Sequence, residues 1–294
     1  MAVIQPFDFA FQNVTALICP SCWRRCELDS RLLLMENLHQ IRSALRQKGI
    51  AKLEGLVAPE QAQIAHSMVL ELAEEHSLYS AEGWVKAPGK FGVPKTFRKA
   101  LNKLNRSNEF PELVGDRLTS IIEELIGARV TPLPPGQQLL FSLPSHEGWS
   151  IPSDVWHTDL PKFAERTTPG LQAFTFLDDV EPQGGATLVV EGSHRLLSEH
   201  SVLSSKQVKD HLRQEGFFAR LFHSETPAMT DLAETAGRVG EVELKVIELT
   251  GCVGDVYLMD LRLLHTPAPN SSNKARMMPT CRFPRAEVAE RIDG

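Results

Sequence analysis

From about residue 128 onward the chain breaks into short strand-like runs separated by turn residues. That rhythm restricts the fold more than any other feature of the sequence. The runs are RVTPL, QQLLFSL, SDVWHTDL, LQAFTFLDDV, ATLVVEGS, VELKVIEL, DVYLMD and ARMMPTCRF, punctuated by PPG, PQGG, TG, VGD and PAPNSS. Many short strands with Gly/Pro punctuation predict a β-sandwich or jelly roll. A stretch at about 196–235, with SSKQVKDHLRQEGFFARLF inside it, interrupts the strands as a helical insertion. Insertions of that length commonly serve as lids or interfaces.

The part before residue 128 has a different texture. Residues 1–30 show no period and read as an irregular lead-in. Leu32, Leu38, Ile41 and Leu45 fall near helical spacing, so 31–48 is predicted helical, with Gly49 as its stop. A short strand follows at 50–57, a second helix from about Pro59 to His76, and a third from near Pro111 to Ile126, ended by Gly127. The expectation is a mainly β protein with helical additions. It divides into a helical section at 31–127 and a jelly-roll core at 128–284, together forming one domain over 31–294. At 294 residues and 42% apolar content there is enough material for one large core.

Charge narrows the partners. The net charge is −6, which gives no whole-protein attraction to nucleic acid or to an anionic membrane. Residues 83–106 are locally basic, through Lys86, Lys90, Lys95, Arg98, Lys99, Lys103 and Arg106. They read as a solvated face or as a rim for an anionic substrate. The N-terminus has no basic, apolar leader, and no run reaches the ~18 apolar residues a membrane span needs. The expectation is a soluble cytoplasmic protein. Five cysteines, an odd number, argue against a disulfide framework. Cys19, Cys22 and Cys26 lie in CPSCWRRC, one cluster with no second pair to complete a zinc site.

The chemistry sits in His157-Thr158-Asp159. Residues i and i+2 of a strand share a face, so His157 and Asp159 can reach one ion if the ladder is regular there. Alone the pair is weak, but His265 follows the strand DVYLMD about a hundred residues later. Two imidazoles and one carboxylate make the facial triad of non-haem iron(II) oxygenases, although zinc accepts the same donors. Arg276, eleven residues after His265, offers the planar fork that a carboxylate of 2-oxoglutarate requires. Pro279 has no N–H for a ladder, so its strand should be an edge or bulged there.

These landmarks, VWHTDL, then LQAFTFLDDVEPQGGATLVVEGSHR, then GDVYLMDLRLLHTPAPNSSNKAR, resemble the phytanoyl-CoA dioxygenase family over about 135–284. The resemblance implies a double-stranded β-helix, the cupin-like jelly roll. It implies Fe(II), with 2-oxoglutarate and O2 as co-substrates, and release of succinate and CO2. By position, His157, Asp159 and His265 match the iron ligands and Arg276 the co-substrate arginine. Phe174 falls where relatives place an aromatic near the co-substrate. Gln138 and Thr266 are candidate polar contacts, and Asp260 and Asp154 are candidates for orienting the histidines. The GSHR landmark at 192–195 reads as structural, with His194 not a ligand. Related halogenases have a small residue at the carboxylate position. Asp159 fills it here, which favours a hydroxylase acting on a small molecule such as an acyl-CoA, an amino acid or a specialised metabolite. A non-catalytic cupin-like metal-binding protein and a zinc-dependent hydrolase remain alternatives. Oligomeric state and substrate stay open.

Overall fold

The structure is a computed structural model that describes residues 37–89, 92–107, 109–113, 115–160, 167–197, 205–222 and 236–293. The lead-in at 1–30 and its cysteine cluster lie outside these residues. In chain order the first elements are α1 (37–48), β1 (Ile50–Leu53), α2 (Pro59–Glu75), β2 (Tyr79–Ser80), β3 (Gly83–Trp84), α3 (Lys95–Asn105) and α4 (Asp116–Ile126). Then come β4 (Gln138–Ser142), β5 (Gly170–Thr175), β6 (Thr187–Glu191), α5 (Ser193–Leu197), α6 (Ser205–Leu212) and α7 (Gly216–Phe222). The chain continues through β7 (Ala236–Val239), β8 (Val242–Glu248), β9 (Val256–Asp260), β10 (His265–Pro267), β11 (Arg276–Pro284) and α8 (Ala286–Asp293).

Two antiparallel sheets carry the architecture, one ordered β1-β9-β5-β11-β4 and the other β10-β6-β8-β7. Between them lies an apolar layer with Ile50, Phe174, Tyr257, Met259 and Met278 from the larger sheet and Val189 from the smaller. Cross-strand partners share a face, so the register decides which residues point inward. Thr280 pairs with both Gln138 and Phe174, and Phe174 with Tyr257, which places this row on the inner face. Strands β5 and β9 are buried at every residue because both faces are covered, which accounts for their largely apolar sequence.

The N-terminal helices cover the outer face of the larger sheet. Helix α2 buries Ala62, Ala65, Val69 and Ala73, spaced at three and four residues, in the apolar cluster that also holds Ala173 and Leu258. The smaller sheet is covered from outside by the insertion. Helix α7 buries Phe217, Phe218, Leu221 and Phe222 in a cluster with Trp156, Leu188, Val190, Leu244 and Val246. An amphipathic segment with four buried apolar side chains packs as a wall on this face. Residues 198–204 and 223–235 lie outside the described set.

Several sequence-based boundaries change. RVTPL forms no regular strand: it makes a single bridge, Val130 with Arg285, and Thr131 and Leu133 N–H donate to Pro284 O and Arg282 O. Nor is SDVWHTDL a strand; it has one bridge, at His157. The third helix begins at Asp116, not near Pro111, with Gly115 as its N-cap and Gly127 left-handed at its end. Neither β7 nor α8 is apparent in the sequence pattern. The Pro279 constraint is met locally: Pro279 pairs with Leu139 of β4, while the ladder to β5 covers only Thr280–Pro284.

Phe218 is fully buried and stacks on Phe222 with ring centroids 5.4 Å apart. Phe218→Ala is expected to cost about 3–5 kcal/mol of stability. Urea denaturation measures this, and a loss below about 1 kcal/mol would show that α7 is not part of the packed body.

Candidate metal centre

His157, Asp159 and His265 each offer a ligand atom, and these atoms lie within 4.8 Å of one another. Two backbone hydrogen bonds create the arrangement. His157 N–H donates to His265 O and His265 N–H to His157 O, both at 2.9 Å. The rings lie with centroids 4.2 Å apart. Beyond this bridge the segment is irregular, for the N–H groups of Asp159 and Leu160 both donate to Leu261 O, at 3.1 and 3.0 Å. The regular ladder assumed from the HxD pattern is absent, yet the convergence survives because the bridge fixes His157 and the shared carbonyl fixes Asp159.

Both imidazoles are oriented the same way. His157 Nδ1 lies 3.0 Å from Val155 O, and His265 Nδ1 lies 3.0 Å from Leu263 O. A carbonyl can only accept, so each Nδ1 carries the proton and each Nε2 is left with its lone pair for a metal. Backbone carbonyls do this work, not Asp260 or Asp154. Asp260 instead pairs with Arg262 at 2.8 Å, both fully buried, and Asp154 is exposed. Burial pushes the His265 pKa down to about 4, overriding the Asp159 carboxylate 3.7 Å away, so the ring is neutral at physiological pH.

The carboxylate is divided. Asp159 Oδ1 accepts a bond from Arg282 at 2.9 Å, while Oδ2 is buried without a partner. A buried carboxylate oxygen left unpaired is costly, and a cation beside both Nε2 atoms would satisfy it. The donors fit a divalent metal with a facial set of two nitrogens and one oxygen.

Arg276 opens β11 on the inner face, paired with Ser142. It is fully desolvated, which lowers its pKa to about 10 and leaves it protonated. Its Nε donates to Ser142 Oγ at 3.4 Å and its Nη1 has no partner. Asn270 shapes the loop before it, donating to Lys274 O at 2.8 Å and accepting from Ser272 Oγ at 2.7 Å. A buried cation with an open donor and, among the described residues, no carboxylate beside it fits an anionic ligand.

The other candidates are placed as follows. Phe174 lies on the inner face in the apolar layer, and Gln138 begins β4 on the same face. Thr266 pairs with Leu188, whereas His265 pairs with Val189. Leu188 belongs to the outer cluster and Val189 to the inner one, so Thr266 faces away from the site. His194 caps the end of α1, with Nε2 3.2 Å from Arg46 O, and is no part of the metal group. Next to it, Ser193 Oγ accepts from Leu264 N–H at 2.9 Å and donates to Val190 O at 2.7 Å, which holds the residue before His265. Sequence reasoning missed Arg282. Its signal was the period of two from Arg276, which puts both arginines on one face.

The phytanoyl-CoA dioxygenase family model matches residues 45–278. No curated protein sequence matches the chain. Among solved structures, EvdMO1 aligns with a TM-score of 0.54 at 19% identity, over 85% of this chain and 50% of that one. The apo form of the non-haem monooxygenase ThoJ aligns at 0.50 and 13%, over 83% and 77%. The epimerase SnoN, in complex with Fe3+, α-ketoglutarate and nogalamycin RO, aligns at 0.47 and 17%, over 85% and 84%. These likenesses are of fold. The match to the family model, over a jelly roll whose donors suit the group, establishes that the chain belongs to the phytanoyl-CoA dioxygenase family and uses iron with 2-oxoglutarate and O2.

Proposed function

We propose that the protein is an iron(II)- and 2-oxoglutarate-dependent dioxygenase that hydroxylates an unactivated C–H bond of a small-molecule substrate. The observation that carries this reading is the coexistence of two unmet needs in one interior. Asp159 Oδ2 lacks a cation and Arg276 Nη1 lacks an anion. A metal-binding protein without turnover, or a zinc hydrolase, has use for the first and none for the second.

When bound, iron(II) with 2-oxoglutarate and O2 supplies the oxidant for C–H cleavage, and the co-substrate leaves as succinate and CO2. The residues do the rest. His157 and His265 present neutral Nε2 donors, each held by a backbone carbonyl. Arg282 occupies Asp159 Oδ1, which leaves one carboxylate oxygen for the metal and favours monodentate binding. Arg276 grips the far carboxylate of 2-oxoglutarate and so sets its orientation. The apolar layer around Phe174 and Met278 keeps water from the reacting groups. Asp159 fills the carboxylate position, which supports hydroxylation over halogenation.

Anaerobic titration with iron(II) and then 2-oxoglutarate tests this. The wild type should develop the weak visible metal-to-ligand charge-transfer band, and His157→Ala or His265→Ala should lose it together with turnover. Iron binding without the band would favour the metal-binding or hydrolase alternatives. Arg276→Leu should keep iron affinity and raise the 2-oxoglutarate KM by about 10–100-fold, since a charge-assisted pair is lost. Without co-substrate the same variant should unfold at no lower temperature than wild type, because the unmatched buried charge is removed. Added 2-oxoglutarate should stabilise only the wild type. Unchanged co-substrate affinity in Arg276→Leu would remove Arg276 from this role.

A further inference from the structure

We infer that Gln172 and Arg282 form the head-group subsite for the primary substrate, and that this head group is a small carboxylate with a neighbouring N–H or O–H donor. The inference rests on the iron and 2-oxoglutarate reading above.

Gln172 of β5 and Arg282 of β11 are direct cross-strand partners. Arg282 O accepts from Leu133 N–H on the opposite side of β11, so the pair is non-hydrogen-bonded, the arrangement in which side chains approach most closely. The pair sits on the inner face beside the metal group, since Arg282 holds Asp159 at 2.9 Å.

Gln172 is 3% exposed, and its amide orientation is fixed by a chain of bonds. Thr280 Oγ1 donates to Ala173 O at 2.7 Å, which commits its only proton. It can therefore only accept from Gln172, and Gln172 Nε2 donates to it at 2.9 Å. Gln172 Oε1 is left buried with no partner. Arg282 Nε is likewise a buried donor with no partner. An unmet acceptor and an unmet donor thus stand on directly paired residues beside the metal group.

The co-substrate cannot satisfy both. The 2-oxoglutarate dianion carries no hydrogen-bond donor, so Gln172 Oε1 calls for a second molecule. Charge specifies more of it. Among the described residues, a divalent metal, Arg276 and Arg282 against Asp159 and dianionic co-substrate leave one uncompensated positive charge at the centre. A monoanionic head group neutralises it, with its oxygen toward Arg282 and its donor toward Gln172. The side chain of Arg282 is 35% exposed, so this end of the subsite reaches the surface.

The test uses three matched panels: the standard L-α-amino acids, the corresponding 2-hydroxy acids and the corresponding unsubstituted carboxylates. Each is added anaerobically to the protein loaded with iron(II) and 2-oxoglutarate. The charge-transfer band is followed first, and then succinate release in air. At least one amino or hydroxy acid should perturb the band and raise succinate release about tenfold or more, while its unsubstituted counterpart does neither. Which panel responds identifies the donor as N–H or O–H. Gln172→Met should form the band normally and respond about tenfold more weakly. The inference is overturned if no donor-bearing acid perturbs the band, if plain carboxylates act equally well, or if Gln172→Met responds like wild type. Failure of the band to form in wild type before any acid is added would instead overturn the underlying oxygenase reading.

Discussion

The two reciprocal backbone hydrogen bonds between His157 and His265 join parts of the chain more than a hundred residues apart, and the metal group depends on them. The segment carrying His157 has no ladder of its own. Its place is set by this bridge, by the Leu261 carbonyl that receives Asp159 and Leu160, and by Trp156. That indole is completely buried in the cluster under α7, and its Nε1 donates to Pro152 O at 2.6 Å. The partner strand is held in turn by Ser193, whose hydroxyl links the end of β6 to Leu264. The helical insertion therefore acts on the site as a buttress. It packs the wall behind the bridge that carries both imidazoles.

Buried charge near the site follows one rule with one exception. Asp260 is matched by Arg262 and Asp159 by Arg282, each within hydrogen-bonding distance. Paired buried ions are roughly neutral for stability, whereas a buried ion without its partner is strongly unfavourable. Arg276 has only the Ser142 hydroxyl, at 3.4 Å. Arg276 is thus left with an open donor, a cost to stability that an anionic ligand would offset. The same reasoning applies on a smaller scale to Gln172 Oε1.

What could be read in advance depended on period and spacing. Strands β1, β4, β5, β6, β8, β9 and β11, the helix over Pro59–Glu75 and the convergence of His157, Asp159 and His265 follow from patterns of two, of three and four, and from ligand type. Three things were illegible for physical reasons. The breakdown of SDVWHTDL as a strand arises from Leu261 O accepting two successive N–H groups, a tertiary event with no local signature. Orientation of the histidines by their own neighbouring carbonyls looks like nothing in sequence, where nearby aspartates are the more visible candidates. Thr266 was adjacent to a ligand and for that reason attractive. Adjacency in a strand means the opposite face, and its pairing with Leu188 places it outside.

Alternation also explains why β11 is the functional strand of the larger sheet. Its outward residues, Met277, Cys281 and Phe283, join the core beneath the N-terminal helices. Its inward residues run Arg276, Met278, Thr280, Arg282. A cation at one end, an apolar residue beyond it, and polar groups leading to the metal carboxylate at the other end make an ordered surface about 20 Å long. No second strand of the larger sheet has it. Inward from β9 come Tyr257 and Met259, and from β5 Phe174 and Gln172, so only the last residue adds a polar group at the metal end. The outer faces pack against the helices, and one inner row of one strand, with Gln172 beside it, holds the polar groups nearest the metal-ligand cluster.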